Sequence, residues 1–194
     1  AARAQPDAPA VFSKGVTLSN REPDRLSDAF GASLLAAGIR KGDRVALVLP
    51  NCPQFLIAEL GAWKIGATVL PLNPLYTASE LGDPLVDAGV HLVVTLTPFY
   101  KRLKEIQGDT AVTQIVATSI KEYLPPFLQV LFTLFKEKKD GHRIQLDGGD
   151  HWFQNWLKDG RPSAGHDPSP DDPAIMLMSG GTTGMPKAVV GLHR

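Results

Sequence analysis

Cysteine is almost missing from this chain of 194 residues. The one thiol, Cys52, has no partner for an internal disulfide, and no Cys/His cluster shows zinc spacing. Both absences suit a reducing compartment, and a cytoplasmic location is expected. Net charge is missing as well. Lys plus Arg is 20 and Asp plus Glu is 20, a formal balance of zero. A general nucleic-acid binder would carry a basic stripe, so no nucleic-acid partner is expected. No apolar run is long enough to span a bilayer. The opening residues, Ala-Ala-Arg-Ala-Gln-Pro, lack the apolar core of a signal peptide. There is no Met at position 1, and the last residues, Gly191-Leu192-His193-Arg194, follow directly on an apolar run. Both ends therefore read as cut from a longer polypeptide.

What is present is an ordinary globular composition, 43% hydrophobic, enough for one core and part of a second. Residues 22–39 repeat Leu26, Phe30 and Leu34 at four-residue steps and predict a helix, with Pro23 in its first turn and Gly38 as its stop. Val45 to Leu49 is a continuous apolar run, the pattern of a strand buried on both faces. Asn51 is a candidate cap for a second helix carrying Leu56, Leu60 and Trp63 on one face, ended by Gly66. Strands are predicted at 67–70, 91–95, 114–117 and 174–178. Thr77 is a candidate cap for a third helix, which Pro84 should kink or shorten. A further helix is expected near 98–107. Trp152 and Trp156, four apart, are expected on one helix face in the core. Residues 159–172, rich in Pro, Gly, Ser and Asp, read as a surface loop. This alternation predicts an α/β fold, a mainly parallel sheet flanked by helices and joined by right-handed crossovers.

The chemistry is concentrated after the last of those strands, in Ser179-Gly180-Gly181-Thr182-Thr183-Gly184-Met185-Pro186-Lys187. Its three glycines let backbone N–H groups turn inward without a Cβ penalty. Hydroxyls and one ammonium join them, a set of donors suited to a polyphosphate. It is not a Walker A loop, which needs Gly immediately before Lys and Ser or Thr after it, opening a helix. Here Pro186 precedes Lys187 and an apolar, strand-like run follows, so the loop is expected to join two strands. A bare surface hairpin would need neither the lysine nor the hydroxyls.

This stretch resembles the phosphate-loop signature of the AMP-forming adenylate synthetases, the superfamily of acyl-CoA synthetases, peptide-synthetase adenylation domains and luciferases. Lys41-Gly42-Asp43-Arg44-Val45-Ala46, Pro50-Asn51-Cys52-Pro53-Gln54-Phe55, Gly66-Ala67 and Pro71-Leu72-Asn73-Pro74 resemble its earlier segments, in order. Asn73-Pro74-Leu75-Tyr76-Thr77 with Glu80-Leu81 is similar to acyl-CoA ligases. Tyr123-Leu124-Pro125-Pro126 and the apolar segment after it resemble bacterial long-chain fatty acid–CoA ligases. The resemblance implies that residues 1–194 are part of an N-terminal AMP-binding domain. It implies ATP, Mg2+ and CoA as reagents and a fatty acid as substrate. Ser179, Gly180, Gly181, Thr182, Thr183, Gly184 and Lys187 are then the nucleotide-binding set, with Ser179 near the magnesium ion.

Two departures stand out. Ala188 replaces the family's usual Gly after Pro-Lys. The Tyr-Gly-x-Thr-Glu segment, the ribose-binding Asp and the late adenylation lysine are not among these residues, so no catalytic residue is expected within them. Two other functions stay open at this point: an acyl-AMP ligase that loads a carrier protein, and a non-catalytic nucleotide- or acyl-binding module. Phe127 to Lys139 is an amphipathic helix candidate with a narrow polar stripe of Gln129, Thr133 and Lys136 and a basic end. It reads either as a peripheral membrane contact or as a helix packed on protein. Cys52 reads as a small buried hydrophobe rather than an activated thiol. His142, His151 and His166 show no ligand spacing, and His193 is expected to start a helix.

Overall fold

The computed structural model describes residues 4–139, 141–159, 168–179 and 187–193. A short hairpin comes first, β1 (Pro9–Ser13) and β2 (Val16–Ser19), antiparallel and apart from the main sheet. Its turn is Lys14-Gly15, with both residues at positive φ, the tight-turn geometry whose twist suits a two-stranded ribbon. Then follow α1 (Arg21–Ala36), β3 (Arg44–Val48), α2 (Pro53–Lys64), β4 (Thr68–Pro71), α3 (Ala78–Asp87), β5 (Leu92–Leu96), α4 (Tyr100–Gln107) and β6 (Gln114–Thr118). The described chain ends with α5 (Pro126–Phe135), β7 (His151–Trp152), α6 (Phe153–Asp159), β8 (Pro173–Ser179) and β9 (Lys187–Leu192).

Among the described residues seven strands form one sheet, in the order β7-β6-β5-β3-β4-β8-β9. All neighbours are parallel except β8 and β9. The pleat sends alternate residues to two separate cores. Val45, Leu47, Val69, Leu92, Val94 and Val116 meet Phe30 and Leu34 of α1, Ile57 and Ala62 of α2, and Phe153 and Trp156 of α6. Ala46, Val48, Leu70, Val93, Ile115 and Ala117 meet Leu81 and Leu85 of α3 and Tyr100 and Leu103 of α4. Val45 to Val48 are wholly inaccessible, as the unbroken apolar run predicts.

The first core closes around a glycine contact. A Cβ added at Gly31 of α1 would lie 2.9 Å from the Gly61 carbonyl oxygen, and one added at Gly61 of α2 would lie 2.9 Å from the Ser27 carbonyl oxygen. The two backbones therefore touch, and each glycine makes room for the other helix. Lys64 holds the same pair from outside, with Nζ 2.8 Å from Asp24 Oδ1 and 2.6 Å from Asp28 Oδ1. Phe30 then stacks at a tilt on Phe153 and Trp156, 4.9 and 5.4 Å between ring centres, which docks α6 on α1.

Several local expectations change. The residue that caps α2 is Cys52, in an extended conformation and without a side-chain bond, one position after Asn51. Thr77 does cap α3, in a reciprocal box with Glu80. Pro84 does not end α3, which runs on to Asp87. Trp152 lies in β7 and Trp156 in α6, so the pair shares no helix face; β7 divides them between the two cores.

Gly31→Ala is expected to destabilise the fold by about 1–3 kcal/mol, the usual range for overpacking. The melting temperature should fall by several degrees. Gly82→Ala in α3, where an added Cβ meets nothing within 4 Å, should leave melting unchanged or raise it. Equal melting of Gly31→Ala and wild type would mean that the helices are free to separate.

Candidate functional site

The sheet positions the glycine-rich loop through β8 and β9. Ser179 and Lys187 are the last paired residues of that hairpin, directly opposite each other in register. Residues 180–186, which hold Gly180, Gly181, Thr182, Thr183 and Gly184, lie outside the described residues, as do the side chains of Ser179 and Lys187. The described backbone places both ends of the loop at one point, on two strands. It bears out the expectation that the loop joins strand to strand, with no helix opening at Lys187.

β8 pairs with β4 through Ile175 and Val69. From that pair β4 continues two residues to Pro71 and β8 four residues to Ser179, so the hairpin reaches past the end of the parallel sheet. Met176 and Met178 turn toward the second core, whereas Leu177, Val189 and Val190 are exposed. The loop thus leaves the carboxyl end of a parallel strand, the end at which open α/β sheets place ligands. Asn51 and Asn73 follow the carboxyl ends of β3 and β4 on the same side. Asn73 Oδ1 accepts the Leu75 N–H at 3.0 Å and shapes the Pro71 to Pro74 turn. Arg102 Nη1 bonds the Pro74 and Tyr76 carbonyls from α4 at 3.2 and 2.5 Å.

The early motif segments serve this scaffold. Arg44 donates to the Ala88 and Gly89 carbonyls at 2.6 and 3.1 Å, covering the carboxyl end of α3. Asp43 accepts the Arg40 N–H at 2.7 Å and closes the turn into β3. Gln54 is wholly buried. Its amide donates to Thr118 Oγ1 at 3.3 Å and to the Ser119 carbonyl at 3.0 Å, while its Oε1 has no protein partner.

Around Gln54 lies a polar cluster at the carboxyl end of β6. Glu122 accepts from Thr118 Oγ1 at 2.8 Å, Gln154 Nε2 at 2.7 Å and the Ser119 N–H at 3.4 Å. Burial outweighs those bonds and raises the Glu122 carboxyl above its ordinary value of 4.5. Burial also raises the Tyr123 phenol and the Cys52 thiol. Cys52 is therefore held as a neutral thiol, in line with a small packing residue. A second buried carboxylate, Asp150, accepts from the Tyr100 hydroxyl at 2.7 Å, Lys104 Nζ at 3.1 Å and the Ile115 N–H at 2.8 Å. Desolvation, with Asp150 adding to it, pushes the Tyr100 phenol up to about 12. No local pattern in the sequence marks Asp150, because its three partners come from α4 and β6.

His193 lies at the far end of β9 from the loop and is the last of the described residues. Its N–H bonds the Asp172 carbonyl at 3.2 Å, and its ring packs edge-on to Trp63, 5.5 Å between centres. Among the described residues no group of three or more His, Cys, Asp or Glu side chains is placed to hold a metal ion.

A doubly wound α/β domain with a glycine- and threonine-rich segment after a strand's carboxyl end has an arrangement suited to holding a nucleotide's phosphates. The profile of the AMP-binding enzyme family matches residues 1–194, and the chain belongs to that family. It is 36% identical to a long-chain-fatty-acid–CoA ligase of Bacillus subtilis (strain 168), over 97% of this chain and 34% of the relative. It is 32% identical to a ligase of the same name from Escherichia coli O157:H7, again over 97% and 34%. The fold superposes on an anthranilate CoA ligase solved with anthranoyl-AMP at a TM-score of 0.80 and 19% identity, covering 98% of this chain and 32% of that one. The chain thus spans about one third of the length of the curated relatives it matches.

Glu122→Gln should change the pH dependence of stability. A carboxyl raised in the folded state stabilises below its unfolded value near 4.5, and that contribution is lost as pH rises through the folded value. The melting temperature of wild type should therefore fall relative to Glu122→Gln as pH is raised from 4 toward 8. Parallel melting curves across that range would contradict the burial of an ionising Glu122.

Proposed function

We propose that this chain supplies the ATP-binding loop of a fatty-acid-activating ligase. Residues 1–194 are, on this reading, the first portion of the N-terminal AMP-binding domain of a longer enzyme. The observation that carries it is the composition of segment 179–187, glycines and threonines with one lysine, joining β8 and β9, which pair at Ser179 and Lys187 beyond the end of β4. The family and the names of the relatives support the choice of substrate.

A carboxylate is a poor acyl donor because its leaving group would be oxide. In the first step a carboxylate oxygen attacks the α-phosphorus of ATP. The bond between the α- and β-phosphates breaks, and pyrophosphate leaves an acyl-adenylate behind. In the second step the thiol sulfur of CoA attacks the acyl carbon, AMP leaves with the bonding pair, and the thiol proton is lost to solvent. The loop's part is to orient the β- and γ-phosphates and to stabilise charge on the departing pyrophosphate. Backbone N–H groups at Gly180, Gly181 and Gly184, the Thr182 and Thr183 hydroxyls and the Lys187 ammonium are the donors for this. A magnesium ion bound with the phosphates would take oxygen ligands as a hard cation, and the Ser179 hydroxyl is the candidate on this chain to hold it.

Pyrophosphate exchange into ATP by the whole gene product should depend on added long-chain fatty acid. Lys187→Ala should lower kcat/KM for ATP by about a hundredfold or more, the scale of losing one charge-stabilising donor. Exchange that ignores fatty acid, or an unimpaired Lys187→Ala, would defeat this reading. The second step is tested by the acceptor: fatty acyl-CoA should form with CoA, and acylation of a carrier protein alone would assign the chain to acyl-AMP ligases instead.

A further inference from the structure

The hairpin of β8 and β9 is held at its root and open toward its tip. β8 meets the parallel sheet through one pair, Ile175 with Val69. Near that pair Ala174 is buried and Gly191, Leu192 and His193 are half-buried. Farther out, Leu177 of β8 and Ala188, Val189 and Val190 of β9 are exposed. Three side chains bond the root. Trp63 Nε1 donates to the Ala174 carbonyl at 2.7 Å, Thr68 Oγ1 donates to the Pro173 carbonyl at 3.3 Å, and Lys41 Nζ lies 2.8 Å from Asp172 Oδ2. The Thr68 bond is long, and Lys41 is half-exposed, where an ion pair contributes little. The short indole bond is the firmest of the three.

Trp63 reaches the other strand as well. Its ring packs edge-on to His193, which follows β9, and the His193 N–H returns to the Asp172 carbonyl before β8. One side chain thus grips β8 by a hydrogen bond and the end of β9 by a ring contact. It does so from a rigid base. Trp63 lies in the last turn of α2, next to Lys64, and the Lys64 ion pairs and the Gly31–Gly61 contact lock that helix to α1. We propose that Trp63 is a positioning residue for the loop that starts at Ser179 and ends at Lys187, because it sets the angle at which the hairpin leaves the sheet. The strand from Ala174 to Ser179 is about 17 Å long, so a tilt of about 5° at the root carries the tip about 1.5 Å. A shift of that size takes donors out of hydrogen-bond reach of phosphate oxygens. The consequence for ATP rests on the ligase reading; the consequence for the hairpin does not.

The test uses the whole gene product. Trp63→Phe keeps a ring against His193 and removes the donor, and Trp63→Leu removes both. Hydrogen exchange without ATP should quicken about fivefold over 174–178 and 188–192 in Trp63→Phe, more in Trp63→Leu, and stay as in wild type over 45–48. In pyrophosphate exchange, kcat/KM for ATP should fall about tenfold in Trp63→Phe, while KM for fatty acid holds. Phe153→Leu is the control for stability: it loosens the first core at the β7 edge of the sheet, opposite the hairpin. It should leave both constants unchanged at a temperature where every variant is folded. Hairpin exchange equal to wild type in Trp63→Phe overturns the proposal, and so does faster exchange spread equally through β3. An unchanged kcat/KM for ATP in Trp63→Phe, or the same loss in Phe153→Leu, overturns the positioning role. An unimpaired Lys187→Ala defeats the ligase reading instead, and hairpin exchange then decides the role of Trp63 by itself.

Discussion

A parallel sheet has to be dry on both faces, and this requirement organises the chain. Its crossovers place helices over each face, so neither side of a central strand is left for water. β3 meets the requirement with four consecutive residues at zero exposure. Val45 and Leu47 point into one core and Ala46 and Val48 into the other, and the same alternation continues through β4, β5 and β6. Once both faces are occupied, only the strand ends remain open. The loops that leave the carboxyl ends of β3, β4 and β8 are then the places where a polar ligand can approach backbone N–H groups without unpacking a core.

The cost of this arrangement falls on the polar groups that the strand ends bury. Gln54 at the start of α2 bonds Thr118 and Ser119, far from it in sequence, and Glu122 after β6 combines local bonds to Thr118 and Ser119 with a distant one from Gln154 of α6. Such groups stabilise through the bonds they make, and the buried Gln54 Oε1, without a partner among the described residues, loses its hydration without replacement. Glu122 has three donors yet keeps a raised affinity for its proton, so desolvation is the larger effect there. Asp150, with Lys104 among its donors, does the same work at the other core by tying α4 to β6. Both carboxylates fasten the chain around β6, Glu122 at its carboxyl end and Asp150 through the Ile115 N–H.

The fold was legible where a pattern is local. The runs 45–49, 91–95 and 114–117 became β3, β5 and β6 within one residue at either end, because a doubly buried strand writes its burial into consecutive positions. Thr77 was legible as a cap from its hydroxyl alone, and the structure adds Glu80, three residues on, as the other half of its box. The pieces that escaped depend on partners elsewhere. β1 and β2 lie outside the main sheet, and their signal was an alternating run around Lys14-Gly15 that went unread. β7 is two residues long and exists because β6 offers it an edge. Asn51 has a capping side chain, yet the chain is extended at Cys52, so the helix starts one residue later. For the site, the loop's composition carried the information and the sheet adds only its position. Ser179 and Lys187 face each other because β8 and β9 pair, and no spacing within the loop could have said so.

The apolar helix α5 shows where periodicity stops being informative. A segment such as Pro126 to Phe135, apolar nearly all round, has the sequence of a helix buried on every side or of one that lies in a lipid interface. Sequence assigns neither, because both solvents accept the same side chains. The distinction comes from counting which surfaces are already taken. Phe132 has found His142, and Gln129 and Thr133 have turned back on the helix itself. What is left over faces outward together with the exposed Lys136, Lys138 and Lys139. The surroundings of such a helix, rather than its own hydrophobicity, therefore decide which of the two it is.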